Sequence, residues 1–97
     1  MDTTKFYWQE KVAGGIRIGM NNAGREVLGN VKFVDLPDKE TTVEVGSHLF
    51  DVEAEKTVLD LDSPLSGTIV SVNDDLSDNP DYLDNEDHDK NWLFVIK

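Results

Sequence analysis

Apolar residues recur along this chain with a period of two. Ile16, Ile18 and Met20 alternate with Arg17 and Gly19, and Val31 and Phe33 flank Lys32. Phe50, Val52 and Ala54 alternate with Asp51, Glu53 and Glu55. Leu59 and Leu61 alternate with Asp60 and Asp62, and Val70 and Val72 flank Ser71. Successive side chains of a strand point to opposite faces, so this pattern predicts half-buried antiparallel strands, dry on one side and wet on the other. Turn-forming residues separate the runs: Gly14-Gly15, Asn21-Asn22, Leu36-Pro37-Asp38, Gly46-Ser47 and Ser63-Pro64-Leu65-Ser66-Gly67. Many short strands punctuated in this way predict a small sandwich or barrel. Two segments read as short helices. Residues 22–28 open on a capping asparagine and stop at Gly29, and Asn79-Pro80-Asp81-Tyr82-Leu83 offers a cap, a proline at the first helical position and an acid in the first turn.

The length of 97 residues fits one small domain, residues 1–97, around a single core. Twenty acids stand against nine bases, a formal charge of −11. Nucleic-acid binders and proteins that dock on anionic membranes rely on Lys and Arg, so both classes are excluded as expectations. There is no cysteine, which removes disulfides, thiolate nucleophiles and cysteine-based zinc sites. The longest apolar run, Trp92-Leu93-Phe94-Val95-Ile96, is five residues, and a membrane helix needs about 20. Met1-Asp2-Thr3-Thr4-Lys5-Phe6 lacks the basic and apolar regions of a signal peptide, so a cytoplasmic protein is expected.

Residues 73–90 carry eight acids and one base. A calcium-loop register starting at Asn85 puts Lys90 where glycine is needed and Ile96 where a bidentate glutamate is needed. The segment therefore reads as a solvated acidic connection, and no metal site is expected. His48 and His88 stand alone and read as surface or turn residues, with no HExxH, no serine elbow and no phosphate loop in the chain. Composition points to a binding or carrier domain, not an enzyme.

The segment from Phe50 to Val70 is the most informative. Two alternating runs meet at Glu55-Lys56-Thr57, a joint without the Gly or Asn usual in a tight hairpin. Lys56 would stand at the tip of a two-stranded arm. On spacing alone it is a solvated charge at a turn.

This region resembles the lipoyl-attachment region of the glycine cleavage H-protein family. Glu53 stands three residues before Lys56, and Ser63-Pro64-Leu65-Ser66-Gly67 follows at the family spacing. Leu28-Gly29-Asn30-Val31-Lys32-Phe33-Val34-Asp35-Leu36-Pro37 is similar to the family's Leu-Gly-Asp-Ile-Val-Phe-Val-Glu-Leu-Pro. Val72-Asn73, Asn79-Pro80 and Trp92-Leu93-Phe94 also match, so the likeness runs from about Ile18 to Lys97. The chain departs at Glu53-Ala54-Glu55-Lys56-Thr57, where the family usually has Glu-Ser-Val-Lys-Ala, and at Phe6-Tyr7-Trp8, where many members have His-Glu-Trp. It stops at Lys97, where full-length H proteins continue into a helix. These differences, with Lys56-Thr57-Val58 and the Pro64 to Thr68 turn, are similar to a shorter H-like branch.

The resemblance implies a flattened, all-β antiparallel barrel-sandwich hybrid of the lipoyl/biotinyl type with one or two short helices. It implies lipoate as covalent cofactor on Lys56 and Glu53 as a recognition residue beside it. The implied partners are a lipoate ligase or lipoyltransferase, then glycine decarboxylase, aminomethyltransferase and dihydrolipoyl dehydrogenase, with the carrier a monomer. The alternative is an H-like lipoyl relay or redox-signalling protein served by macrodomain and sirtuin enzymes. Biotin acceptors usually place Met on both sides of the lysine, where this chain has Glu55 and Thr57. A lipoyl domain of a 2-oxoacid dehydrogenase usually has Asp-Lys-Ala at the tip.

Overall fold

The structure, a computed structural model, describes residues 2–97. Its strands are β1 (Tyr7–Val12), β2 (Gly15–Met20), β3 (Val31–Asp35), β4 (Thr42–Val43), β5 (His48–Ala54), β6 (Val58–Asp62), β7 (Gly67–Val72) and β8 (Trp92–Ile96). They form two sheets, in the orders β1-β2-β8-β7-β4 and β3-β5-β6, with antiparallel pairing throughout. The dry faces of the two sheets meet in one core. Phe50, Leu61, Ile69, Leu93 and Phe94 are at most 2% exposed. Phe50 and Phe94, one from each sheet, meet edge-on at 5.2 Å, an arrangement worth about 1 kcal/mol beyond simple burial. The molecule is flattened, with extents of 31 × 26 × 20 Å. This is the barrel-sandwich architecture that the alternating pattern and the family resemblance predict.

Four strand pairings carry a register shift, and two of these overturn the alternation read from the sequence. In β3, Val31 faces Ala54 and Phe33 faces Glu53, so Lys32 is one residue too many. Val31 and Val34 are buried, while Lys32 and Phe33 both point outward. The expectation that Phe33 shares the buried face of Val31 is therefore wrong: the inserted residue turns Phe33 over. In β7, Ile69 faces Ile96 and Ser71 faces Val95, which leaves Val70 as the extra residue, 39% exposed. The same cause corrects the pairing of Val70 with Val72.

Helix α1 (Asn22–Leu28) forms where expected, but its cap is Asn21, whose Oδ1 accepts the Gly24 N–H at 3.1 Å. Gly29 ends it at φ 70°, donating to the Arg25 carbonyl. Residues 73–90 are more ordered than a solvated connection. They hold α2 (Asp75–Asp78), a 3₁₀ turn over Pro80–Asp84 and α3 (His88–Asn91). Leu76 and Leu83, both fully buried, pin the segment to the core while its acids stay largely in solvent. Asp84 instead turns inward, and its carboxylate accepts the Val31 N–H at 3.2 Å. Burial raises the Asp84 pKa above its ordinary value. His88 lies flat on Trp8, ring centroids 3.8 Å apart, and Trp8 Nε1 donates to Asn91 Oδ1, which ties α3 to β1. Among the described residues no helix is long and apolar enough to cross a membrane.

Candidate functional site

The β5–β6 hairpin is the feature that displays a lysine. Val52 and Ala54 on β5 and Leu59 and Leu61 on β6 are buried, so the arm's inner face is fixed to the core. Its tip closes with Ala54 N–H donating to the Thr57 carbonyl at 3.0 Å. The next two amides look away from the hairpin. Glu55 N–H donates to the Asn30 carbonyl at 2.8 Å, and Lys56 N–H donates to the Leu28 carbonyl at 3.2 Å. Carbonyls on both sides of Gly29 thus satisfy the tip. A joint without glycine closes because the adaptable residue lies across from it, in the link from α1 to β3.

Lys56 is exposed, and its stem lies over Gly29. A Cβ at residue 29 would come 3.2 Å from Lys56 Cγ and 3.3 Å from Cε, so any larger residue would push the stem aside by a few tenths of an ångström. Lys56 Nζ donates to the Glu26 carbonyl at 3.2 Å. That carbonyl belongs to the last turn of α1, where helical carbonyls lack partners within the helix and the dipole is negative. The amine is therefore placed by one solvent-accessible hydrogen bond, easily exchanged for another partner.

Glu53 lies on the outer face of β5, as period two requires, opposite the buried Val52 and Ala54. Its cross-strand neighbours are Phe33 on β3 and Val58 on β6. Phe33 is 57% exposed and Val58 62%. Among the described residues no ion pair involves Glu53 or Glu55.

One row further from the tip stand Asp35, Asp51 and Asp60, side by side across the three strands. Like charges placed opposite one another are destabilising. His48 relieves part of this: its Nε2 lies 2.7 Å from Asp51 Oδ1. The polar atoms of His48, Asp51 and Asp60 fall within 4.8 Å of one another. The Asp51 hydrogen bond raises the His48 pKa above its ordinary 6.5, and the same bond lowers that of Asp51. A hydrogen bond with Asp51 raises Asp60. The raised His48 value makes the pair's contribution full below about pH 6.5 and lost as pH climbs through the folded-state value. The lowered Asp51 value removes it again in acid, as pH falls through the folded carboxyl's own pKa. His48→Gln is expected to lower the melting midpoint by a degree or two at about pH 5.5 and to leave it unchanged near pH 8.5, since the pair is solvated. Equal shifts at both values would show that His48 carries no charge in the pair.

Lys56 and Glu53, singled out in the sequence, stand at the hairpin tip and on the outer face of β5. Sequence reasoning missed Phe33 as an outward residue, because a bulge leaves no mark in composition. It read Gly29 only as a helix stop, and the lysine bed above it depends on a contact between segments 27 residues apart. It also left His48 without its partner, although Asp51 at a spacing of three was visible.

The family model described as "Glycine cleavage H-protein" matches residues 2–97. The glycine cleavage system H protein of Cronobacter sakazakii is 42% identical over 91 residues, covering 93% of this chain and 70% of that protein. That of Oceanobacillus iheyensis is 37% identical over 90 residues, covering 93% of this chain and 71% of its own. A crystal structure of a glycine cleavage system H protein from Mycobacterium marinum superposes with a TM-score of 0.83 at 33% identity, covering 94% of this chain and 76% of the other. Sequence and overall fold thus agree over almost the whole chain, which belongs to the glycine cleavage H-protein family.

Proposed function

We propose that this protein is the lipoyl carrier of glycine cleavage, with Lys56 Nζ as the atom that holds the cofactor in amide linkage. The observation that carries the reading is an exposed primary amine at the tip of a hairpin whose inner face is packed and whose tip amides are tied down, in a member of this family. The residues fit the group. Lysine offers a nucleophilic amine on a four-carbon stem, and Gly29 beneath it leaves room for the stem to move. Bound there, lipoate supplies a disulfide that takes up an aminomethyl group and two electrons and gives them on to other enzymes.

The chain's own residues do the rest. The packed faces of β5 and β6 keep the attachment point rigid, so mobility is confined to the side chain beyond Cα. Attachment would require Lys56 to give up its contact with the Glu26 carbonyl and lose a proton, so that the amine can attack the carbonyl carbon of an acyl-adenylate, forming the amide as the C–O bond to AMP breaks and AMP leaves. Tethering makes each later encounter intramolecular, at an effective concentration on the order of millimolar. The carrier performs no chemistry of its own, and its partners are the attaching enzyme, the glycine decarboxylase, the aminomethyltransferase and the dihydrolipoyl dehydrogenase. A charge of −11 suits brief, repeated docking on basic patches, where steering raises association rates more than affinity. The named relatives are glycine cleavage H proteins, which favours this reading over a signalling relay.

The test is reconstitution. Lipoylated protein, mixed with glycine, tetrahydrofolate, NAD+ and the three enzymes, is expected to support glycine-dependent NADH formation. A fully lipoylated sample that supports none would overturn the glycine-cleavage assignment.

A further inference from the structure

The geometry points to a divalent-metal site on the outer side of β5 and β6, with His48, Asp51 and Asp60 as its three protein ligands and Zn2+ as the ion that this ligand set suits. The site is separate from the lipoyl arm. Asp60 stands four residues along the chain from Lys56, or roughly 13 Å, and Lys56 takes no part in it.

His48 and Asp51 are three residues apart on one strand. In a regular strand that spacing puts two side chains on opposite faces. Here the β5–β6 register slips between His48 and Phe50. Leu49 and Phe50 are both buried, and the His48 ring comes out beside the Asp51 carboxylate. The extra residue thus re-aims an imidazole onto a carboxylate, and bulges commonly turn a side chain in this way beside a functional site. Asp60 arrives from the other strand, directly across from Asp51. Each of the three side chains offers one ligand atom, and those atoms lie within 4.8 Å of one another. The sequence hid this arrangement because one ligand needs the bulge and another crosses the hairpin.

The charge around the cluster favours a cation. Asp62 pairs with His48 across the hairpin, and Asp35 flanks Asp51 on β3. One imidazole therefore stands among four aspartates, and among the described residues no lysine or arginine pairs with any of them. His48 relieves Asp51 alone. Two facing carboxyls are held together by a shared proton or by a positive ion between them, and the contact with Asp51 raises the Asp60 pKa accordingly.

Ligand chemistry selects the ion. One imidazole nitrogen and two carboxylate oxygens leave a fourth position for water, which is the arrangement of an open zinc site. Calcium and magnesium favour an all-oxygen shell of about six or more ligands. Ligands bound at about 2.0–2.1 Å in a tetrahedron lie about 3.3 Å from one another. His48 Nε2 and Asp51 Oδ1 stand 2.7 Å apart and need only open slightly, while Asp60 closes in by rotation of its side chain. Bound there, the ion ties β5 to β6 and replaces repulsion along the aspartate row with attraction.

The experiment uses the full, untagged, unmodified chain, treated with a chelator and then titrated with ZnCl2 at about pH 8, where metal ligands are free of protons. Calorimetry is expected to give one Zn2+ per chain, and saturating Zn2+ to raise the melting midpoint by at least about 3 °C. His48→Gln and Asp60→Asn are each expected to weaken Zn2+ binding about ten-fold or more and to remove the rise in midpoint. Both side chains are exposed, so the metal-free variants keep cooperative melting curves. His88→Gln, which removes the imidazole beside Glu10, leaves the affinity unchanged. In nitrogen-edited spectra Zn2+ shifts the His48 ring resonances and not those of His88. Wild-type affinity in His48→Gln, or a loss of binding in His88→Gln, overturns the site. So does displacement of Zn2+ by Ca2+ at equal concentration, which would mark the row as a diffuse acidic surface.

Discussion

Lys56→Arg is expected to gain no lipoyl mass when coexpressed with a lipoate ligase in lipoate-fed cells, where wild type gains one group. Arginine is the sharpest substitution because it preserves so much. It keeps the positive charge, a long stem over Gly29 and a donor for the Glu26 carbonyl at the end of α1. The fold should survive intact, and the melting curve should not move. What disappears is the nucleophile, since a guanidinium stays protonated at any pH the protein tolerates. The effect is a complete loss rather than a fractional one. The six other lysines are poor substitutes. Lys90 lies over the Tyr82 ring at 4.7 Å and Lys5 over the Phe6 ring at 5.7 Å, and neither they nor Lys32 tops a hairpin. Lipoyl mass retained in Lys56→Arg, mapped to Lys32, Lys90 or Lys97, would overturn the assignment.

The parts of this molecule that were legible in the sequence are those governed by local rules. Period two gave the inner faces of β2, β5 and β6, because burial of Ile18, Val52 and Leu61 follows directly from strand geometry. The limits of α1 were legible because a helix needs a cap at one end and glycine serves well at the other. The bulges in β3 and β7 were not, since inserting Lys32 or Val70 changes the register with a partner strand and not the local composition. Phe33 was misplaced for that reason. The acidic segment misled in the opposite direction. Its charge density hid two buried leucines, Leu76 and Leu83, which are enough to hold a chain of short helical turns against the core. Lys56 itself was conspicuous only through its likeness to a family. Geometry then added what motif spacing could not: the amides that clamp the tip and the carbonyl under the amine.

Gly67→Val is expected to lower the melting midpoint by at least about 10 °C, the largest stability effect of any substitution considered. Gly67 opens β7 after the Ser63-Pro64-Leu65-Ser66 turn, with φ at +151°, a region that L side chains rarely enter. Strain of this kind costs about 1–3 kcal/mol. Space is a second, separate cost. A Cβ at this position would lie 2.5 Å from the Lys97 carbonyl oxygen and 2.9 Å from Ile96 Cγ2. The oxygen cannot swing aside, because it accepts the Thr68 N–H at 3.1 Å while Lys97 N–H donates back to the Thr68 carbonyl at 2.9 Å. Forcing the strands apart would break that pair and add about another 1–3 kcal/mol. The clash begins at Cβ, so Gly67→Ala should lose most of what Gly67→Val loses. An unchanged midpoint in both variants would show that the β7–β8 junction yields without cost. The turn lies at the end of β6 opposite Lys56, five residues along the strand, or roughly 17 Å. Measured well below its midpoint, Gly67→Ala should therefore accept lipoate at the wild-type rate, because the hairpin tip is held by the Leu28 and Asn30 carbonyls and not by the turn at the far end.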